Sequence, residues 1–219
     1  AAVMSSRSRP RLTIEPRKYH FLKGINMRET RLFNDNWKFI KIEPGTTGYE
    51  NSDSWVNVDI PHDWLIYDTN NLYEDSEGWY RKTFDLQTET GVRYALRFDG
   101  VYMEPVIYVN GAKAGEWKYG YNTFEIDITD YLVNGANEIR VQVMHRSPNS
   151  RWYSGAGIFR NIWFKTMPDT HFVSDGIYIR TERTDTGYML KASSEISGSE
   201  FDAVAYTVFD MNGTAVVSK

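Results

Sequence analysis

The 219-residue sequence predicts an all-β protein in which one antiparallel β-sandwich is followed by the first part of another. Three observations support this fold class. Short segments alternate apolar and polar residues, Asn-Gly pairs punctuate them, and no stretch shows the convincing period of an amphipathic helix. The aromatic share of 15% agrees with it, because aromatic side chains favour pleated sheets.

Residues 30–168 are predicted to form the first sandwich. Period-two alternation places every second side chain on the same face of a strand. Segments with this pattern are 56–60, 94–98, 124–128 and 139–143. Each of these strands offers one apolar face to a shared core. The pairs Asn110–Gly111 and Asn134–Gly135 tolerate positive φ, so they predict reversals of the chain between strands.

The sequence on either side of this sandwich is different. Residues 1–29 carry several arginines without a sustained period, which predicts an N-terminal arm: a solvated tail, or alternatively a functional basic arm. Further strands are predicted at 172–181, 188–193 and 203–210. Because an immunoglobulin-like sandwich needs about 100 residues and seven strands, residues 169–219 are predicted to be the first part of such a domain.

Half a sandwich exposes an apolar face and an unpaired strand edge. We therefore expect the chain to self-associate, to exchange strands or to leave its tail poorly ordered. Clean monomeric behaviour in light scattering, together with protection of the last fifty or so residues from protease, would contradict this expectation.

Charge and composition exclude several classes of partner. The formal net charge of −4 provides no basic field, which argues against nucleic acids and anionic membranes as partners. The chain has no cysteine, so disulfides and cysteine-ligated metals are excluded. Its four histidines are scattered without the spacing of metal ligands. No apolar run reaches the roughly 18 residues of a membrane helix.

A series of short motifs occurs in a fixed order over about 130 residues. The motifs are Asn36–Phe39, Val58–Trp64 with the letters PHDW, Gly78–Phe84 with GWYRKTF, Phe98–Val101, Val109–Gly111, Phe124–Tyr131, Asn134–Asn137 and Ser150–Asn161 with RWYSGAGIFR. Together they resemble the N-terminal sugar-binding domain of glycoside hydrolase family 2, the group of β-galactosidases, β-glucuronidases and β-mannosidases. The PHDW and RWYSGAGIFR motifs place the β-galactosidase branch nearest.

The resemblance implies a galactose-binding-like jelly roll, an immunoglobulin-like sandwich and then a (β/α)₈ barrel that carries two catalytic glutamates. A retaining glycosidase needs two carboxylates about 5 to 5.5 Å apart, and the family takes both from the barrel, which this chain does not reach. We therefore expect no catalytic residue here and no hydrolysis by this chain alone. No cofactor is expected in this chain, although relatives use magnesium or sodium in the barrel. Family members often form dimers or tetramers, so a homo-oligomer is one expectation.

Residues 148–160 are predicted to form a loop, because polar residues and a Gly-rich turn follow a strong strand. The resemblance implies that this loop reaches over the barrel mouth towards the innermost sugar. Asn149 and Arg151 could donate hydrogen bonds to hydroxyls, and Trp152 could stack on a sugar ring. The substrate-binding candidates are Asn149, Ser150, Arg151, Trp152, Tyr153 and Asp63. The alternative is that the loop only packs against the barrel. Some relatives carry an aspartate ahead of the aromatic residue, where this chain has 149–151.

His62 and Asp63 are adjacent in a predicted turn. Such a pair can act as an acid and base. A structural role is favoured, because Asp63 can accept from local backbone N–H groups and Trp64 can anchor the turn to the core. The polar segment 68–77 is a further candidate for the border of a sugar site.

Three functions follow from these observations. The leading one is the N-terminal part of a family 2 exo-glycosidase, a β-galactosidase foremost, which shapes the active-site rim and has carbohydrate as its partner. The alternative is a free-standing carbohydrate-binding module, which requires sugar binding without the barrel. A purely structural adhesion-type protein ranks last, because it does not explain the ordered motifs.

Overall fold

A computed structural model describes residues 3–4, 28–147, 152–198, 201 and 203–218 of the chain. They fall into two compact units. One unit is Arg28–Met167, and the other combines the flanking stretches on either side of it. No helix in the described residues is long and apolar enough to cross a membrane.

Strands make up most of the described chain, which confirms the all-β prediction. In chain order they are β1 (Val3–Met4), β2 (Glu29–Leu32), β3 (Trp37–Ile42), β4 (Val56–Val58), β5 (Ser76–Leu86), β6 (Val92–Phe98), β7 (Val106–Val109), β8 (Ala112–Glu116), β9 (Phe124–Asp127), β10 (Gly135–His145), β11 (Ile162–Pro168), β12 (His171–Thr184), β13 (Gly187–Ser197), β14 (Thr207–Phe209) and β15 (Ala215–Ser218). Short 3₁₀ turns occur at Tyr49–Asn51, Leu65–Tyr67 and Thr129–Tyr131.

The first unit is a sandwich of two antiparallel sheets. Six strands form one sheet in the order β4-β3-β5-β10-β7-β8, and four form the other in the order β2-β11-β6-β9. The longest ladder joins β5 to β10 and pairs Ser76 with His145 at one end and Leu86 with Gly135 at the other. This ladder places the start of β5 and the end of β10 at the same end of the sandwich.

The core of the first unit lies between these sheets and follows the predicted alternation. Leu96 and Phe98 of β6 and Ile139, Val141 and Val143 of β10 are fully buried and belong to one hydrophobic cluster. Burying a side chain of this size stabilises the fold by about 1.5–3 kcal/mol. The period-two pattern therefore identified the inward face of both strands.

The pattern in 56–60 was only partly right. Ile60 is buried as predicted, but it lies beyond the end of β4, and Val56 remains 53% exposed. The reason is that β4 is an edge strand, paired only with β3 in its sheet. At the edge of a sheet, part of a strand's apolar face can stay exposed to solvent.

Asn110 and Gly111 form the reversal between β7 and β8, as predicted. Their φ angles are 50° and 84°, the combination of two positive values that a tight two-residue hairpin requires. Asn134 directly precedes β10, and Gly135 is the first residue of that strand. The Asn134 side chain accepts a hydrogen bond from the Thr88 backbone N–H at 2.7 Å.

The second unit contains the remaining strands. Its three-stranded sheet has the order β1-β13-β12, and β14 and β15 form a separate hairpin. The strands predicted at 172–181 and 188–193 are confirmed within β12 and β13. The prediction for 203–210 was too long, because the ladder of this hairpin starts at Thr207 and a strand needs a hydrogen-bonded partner as well as an alternating sequence.

Candidate functional site at one end of the first sandwich

At the end of the sandwich where β5 begins, backbone hydrogen bonds join two segments that are far apart in the sequence. The N–H of His62 donates to the Ile158 carbonyl at 2.8 Å, and the N–H of Trp64 donates to the Ala156 carbonyl at 3.1 Å. The PHDW turn and the Gly-rich turn of the RWYSGAGIFR motif are therefore held side by side.

Gly157 makes this close approach possible. Its backbone has φ +124°, and a Cβ placed there would lie 2.5 Å from the His62 carbonyl oxygen and 2.5 Å from the Tyr80 hydroxyl. On its other side, Gly157 exchanges two backbone hydrogen bonds of 2.9 Å with Tyr102. Only glycine fits this backbone conformation between such neighbours.

Asp63 links the two turns through its side chain. One carboxylate oxygen accepts the N–H groups of Leu65 and Ala156, both at 3.1 Å. The other oxygen accepts a hydrogen bond from the Tyr153 hydroxyl. Burial, and then the neighbouring Asp63 carboxylate, raise the pKa of the Tyr153 phenol, so this group keeps its proton and remains a donor.

His62 lies among aromatic rings. Its ring centroid is 4.6 Å from that of Phe39 and 5.8 Å from that of Tyr67, and its Nδ1 lies 2.8 Å from the Tyr80 hydroxyl. Burial lowers the pKa of His62, an effect that the adjacent Asp63 only partly opposes. The His62 imidazole and the Asp63 carboxylate bond different partners, which agrees with a structural role for the turn.

We expect His62 to make folding stability depend on pH. Its folded-state pKa lies below the ordinary 6.5, so the unfolded chain binds more protons and stability falls as the pH drops below 6.5. Urea unfolding midpoints of wild type and His62→Gln, measured from about pH 8 to pH 5, should therefore converge at low pH. Parallel curves would contradict this assignment.

The loop that follows β10 is held at both ends. At its entry, the Ser147 N–H donates to an Asp75 carboxylate oxygen at 2.6 Å. The His145 side chain, which is 1% exposed, contacts the Glu74 carbonyl through Nδ1 at 2.5 Å and the Ser154 hydroxyl through Nε2 at 3.2 Å. Since a carbonyl oxygen only accepts, Nδ1 carries a proton.

Aromatic side chains are exposed around this end of the sandwich. Trp152 is 77% exposed, Tyr67 75% and Tyr153 41%. Tyr121 supports the loop from a third segment, because its hydroxyl donates to the Ser154 carbonyl at 2.8 Å. Exposed aromatic faces beside fixed polar groups suit the binding of a sugar ring, which has apolar faces and a polar edge.

The structure brings together two of the predicted substrate-binding residues, Tyr153 and Asp63. A third, Trp152, directly precedes Tyr153 in the chain. The other three, Asn149, Ser150 and Arg151, lie outside the described residues. The role of all six as sugar contacts stays a prediction. Asp75 and Glu74 of the polar segment 68–77 contact Ser147 and His145, and the place of this segment at the border of a sugar site stays a prediction.

Sequence reasoning missed His145 as part of this site, and it included Asp75 only as one residue of the polar segment 68–77. His145 ends an alternating strand, and a polar residue at the last inward position of such a strand was the available signal. Asp75 carried no signal of its own, because its partner is 72 residues away.

Among the residues that the structure describes, no group of three or more His, Cys, Asp or Glu side chains is arranged to hold a metal ion. The expectation that this chain carries no cofactor stays a prediction.

Comparison with known proteins places this geometry in a family context. Residues 36–168 match the sugar-binding domain of glycosyl hydrolases family 2. The chain is 35% identical over 177 residues to a β-galactosidase of Bacteroides ovatus. The aligned region covers 74% of this chain and 21% of that protein. It is 30% identical over 173 residues to a β-glucuronidase of Formosa agariphila, covering 66% of this chain and 18% of that protein.

Solved structures show the same relationship. A β-glycosidase from Bacteroides vulgatus superposes with a TM-score of 0.73 at 28% identity, over 87% of this chain and 27% of that one. The chain thus spans about a fifth of the length of the curated relatives cited above.

Proposed function

Because this chain belongs to glycoside hydrolase family 2, we propose that it is the N-terminal, non-catalytic portion of a retaining exo-glycosidase that hydrolyses β-galactosides. Its first unit shapes the rim of an active site whose two carboxylates belong to the barrel of the longer protein. The loop residues Asn149–Tyr153 and the neighbouring Asp63 contribute to the innermost sugar site.

The observation that carries this proposal is the joining of the PHDW turn to the loop after β10. The Asp63 carboxylate binds Tyr153 and Ala156, which lie 90 and 93 residues away, and Trp152, the residue before Tyr153, is exposed. A loop fixed on a rigid sandwich is suited to recognition. The β-galactoside preference is supported by the similarity to the Bacteroides ovatus β-galactosidase.

The test is hydrolysis of a panel of nitrophenyl glycosides by this 219-residue chain and by a version extended through the barrel. We expect cleavage by the longer protein only, with the β-galactoside preferred over the β-glucuronoside, because a retaining hydrolase needs both barrel carboxylates.

Each other outcome has a definite meaning. Activity in the 219-residue chain would overturn the placement of the catalytic groups. Preference for the glucuronoside would keep the family role and change the substrate. Absence of activity in both proteins, with sugar binding retained, would favour a carbohydrate-binding module.

A further inference from the structure

Three asparagines of the chain are followed directly by glycine, in the pairs Asn110–Gly111, Asn134–Gly135 and Asn212–Gly213. The three glycines have similar φ angles of +84°, +92° and +82°, and a Cβ added at any of them would have nothing within 4 Å. The covalent sequence and the local space are therefore alike at the three pairs. Any difference in their reactivity has to come from the hydrogen bonds that hold each pair.

An asparagine that precedes glycine can convert itself chemically. The glycine nitrogen attacks the side-chain carbon Cγ, a new N–Cγ bond closes a succinimide ring, and the Cγ–Nδ2 bond breaks. The amide leaves as ammonia, which carries away the proton of the glycine N–H. A water molecule then opens the ring at either carbonyl, giving aspartate or isoaspartate with no change of oxidation state. Because glycine has no Cβ, its nitrogen is easily reached, and hydrogen bonds that hold the amide or the nitrogen must break first.

Asn110 is held at both ends of its side-chain amide. Its Nδ2 donates to the Tyr131 carbonyl oxygen and to Asn137 Oδ1, both at 2.8 Å. Its Oδ1 accepts the N–H of Glu138 at 2.9 Å. Since one hydrogen bond is worth about a factor of five in an equilibrium, these three strongly oppose the rotation that the attack requires.

Asn134 is held at one end of its amide only. Its Oδ1 accepts the Thr88 backbone N–H at 2.7 Å and the Thr88 hydroxyl at 2.8 Å. Two hydrogen bonds must therefore break before Cγ can turn towards the Gly135 nitrogen.

Asn212 is exposed, and its side-chain amide has no hydrogen-bond partner within the described part of the chain. The attacking nitrogen of Gly213 makes a single bond, to the Asp210 carbonyl at 3.1 Å. The surrounding hairpin is also weakly supported, because β14 and β15 pair only with each other and a two-stranded hairpin is marginally stable in water. The β7–β8 hairpin around Asn110, in contrast, belongs to the six-stranded sheet.

We propose that Asn212 is a site of spontaneous deamidation, whereas hydrogen bonds protect Asn110 fully and Asn134 in part. One bond opposes the reaction at Asn212, two at Asn134 and three at Asn110. In the folded chain we therefore expect Asn212 to react at least about fivefold faster than Asn134 and about twentyfold faster than Asn110.

The product alters the turn between β14 and β15. The Asp210 carboxylate accepts the N–H groups of Asn212 and Thr214, both at 2.9 Å. Isoaspartate would lengthen the main chain by an extra atom between these two donors, so both bonds cannot be kept in their present geometry. We expect the Thr214 amide to exchange faster with solvent in the isoaspartate form.

The test follows the folded 219-residue chain during storage in mildly alkaline buffer. Cleavage after Lys and Arg places the three sites on separate peptides, 98–113, 119–140 and 192–219. Mass spectrometry of these peptides gives each rate from the conversion of amide to carboxylate, and labelling by a protein isoaspartyl methyltransferase identifies isoaspartate. In guanidinium chloride the three rates should agree within about twofold, because folded-state hydrogen bonds no longer distinguish the sites.

Thr88→Val tests the cause, because it removes the hydroxyl that binds Asn134 and keeps the Thr88 N–H. The rate at Asn134 should rise about fivefold, while the rates at Asn110 and Asn212 stay at their wild-type values. An unchanged rate at Asn134 would overturn the protective role of the hydrogen bonds. Equal rates at Asn110 and Asn212 in the folded wild type would overturn the assignment of the site, as would a folded chain in which Asn212 stays intact while the unfolded chain reacts there.

Discussion

Replacing Gly157 by alanine should destabilise the first unit by about 3–5 kcal/mol. The added Cβ would lie 2.5 Å from the His62 carbonyl and from the Tyr80 hydroxyl. The carbonyl belongs to the backbone of a hydrogen-bonded turn, and Tyr80 is fully buried, so neither can retreat cheaply. The backbone at φ +124° adds strain for any residue with a side chain.

Urea unfolding followed by tryptophan fluorescence measures this effect as a lower midpoint at unchanged slope. Gly111→Ala is the matched control, because Gly111 also has a positive φ of +84° but nothing within 4 Å of the added Cβ. It should cost only about 1–2 kcal/mol. Equal losses in the two variants would show that the contacts with His62 and Tyr80 are not the cause.

Phe39→Ala should have an effect of similar size, about 3–5 kcal/mol. The Phe39 ring lies beneath the PHDW turn, with its centroid 5.4 Å from Trp64, 4.9 Å from Tyr80 and 4.6 Å from His62. Its removal leaves a cavity at the border of the core and the site. We also expect the pKa of His62 to rise towards 6.5, because the ring that excludes water from the imidazole is gone.

The control for this second prediction is Ile40→Ala. Ile40 is the next residue of β3 and is 5% exposed, but the pleat points it to the opposite face of the sheet. It should lose about 2–5 kcal/mol and leave the pKa of His62 unchanged. An NMR titration of the four histidines, assigned with His62→Gln, measures the shift. If both variants raised the pKa equally, general loosening of the fold would be its cause.

The alternating strands were predictable because one face of each packs on the core. β5 shows where this reasoning ends. Its first five residues are all buried, including Ser76 and Glu77, because other side chains satisfy their polar groups. Ser76 accepts from Trp64 Nε1 at 3.0 Å, and Glu77 accepts from Trp79 Nε1 at 2.6 Å and Gln142 Nε2 at 2.7 Å. A polar residue that is buried through partners elsewhere in the chain looks like a surface residue in the sequence.

The candidate site was predictable as a set of segments and not as a set of contacts. The PHDW turn and the RWYSGAGIFR loop were both identified from their motifs. That Tyr153 bonds Asp63 could not be inferred, because the two lie 90 residues apart and backbone hydrogen bonds between the two turns bring them together. The tight fit at Gly157 likewise depends on Tyr80, which comes from a third segment.

The sequence separation of these contacts has a consequence for the order of folding. Asp63, Asp75 and His145 bond partners that are 93, 72 and 71 residues away from them. Contacts of this range require long chain loops to close before they stabilise anything, and proteins dominated by them fold slowly. During synthesis, this end of the sandwich cannot form until Ile158 has left the ribosome. The backbone N–H groups of Ser147 and Ala156 should therefore be among the last of the first unit to become protected from exchange during refolding.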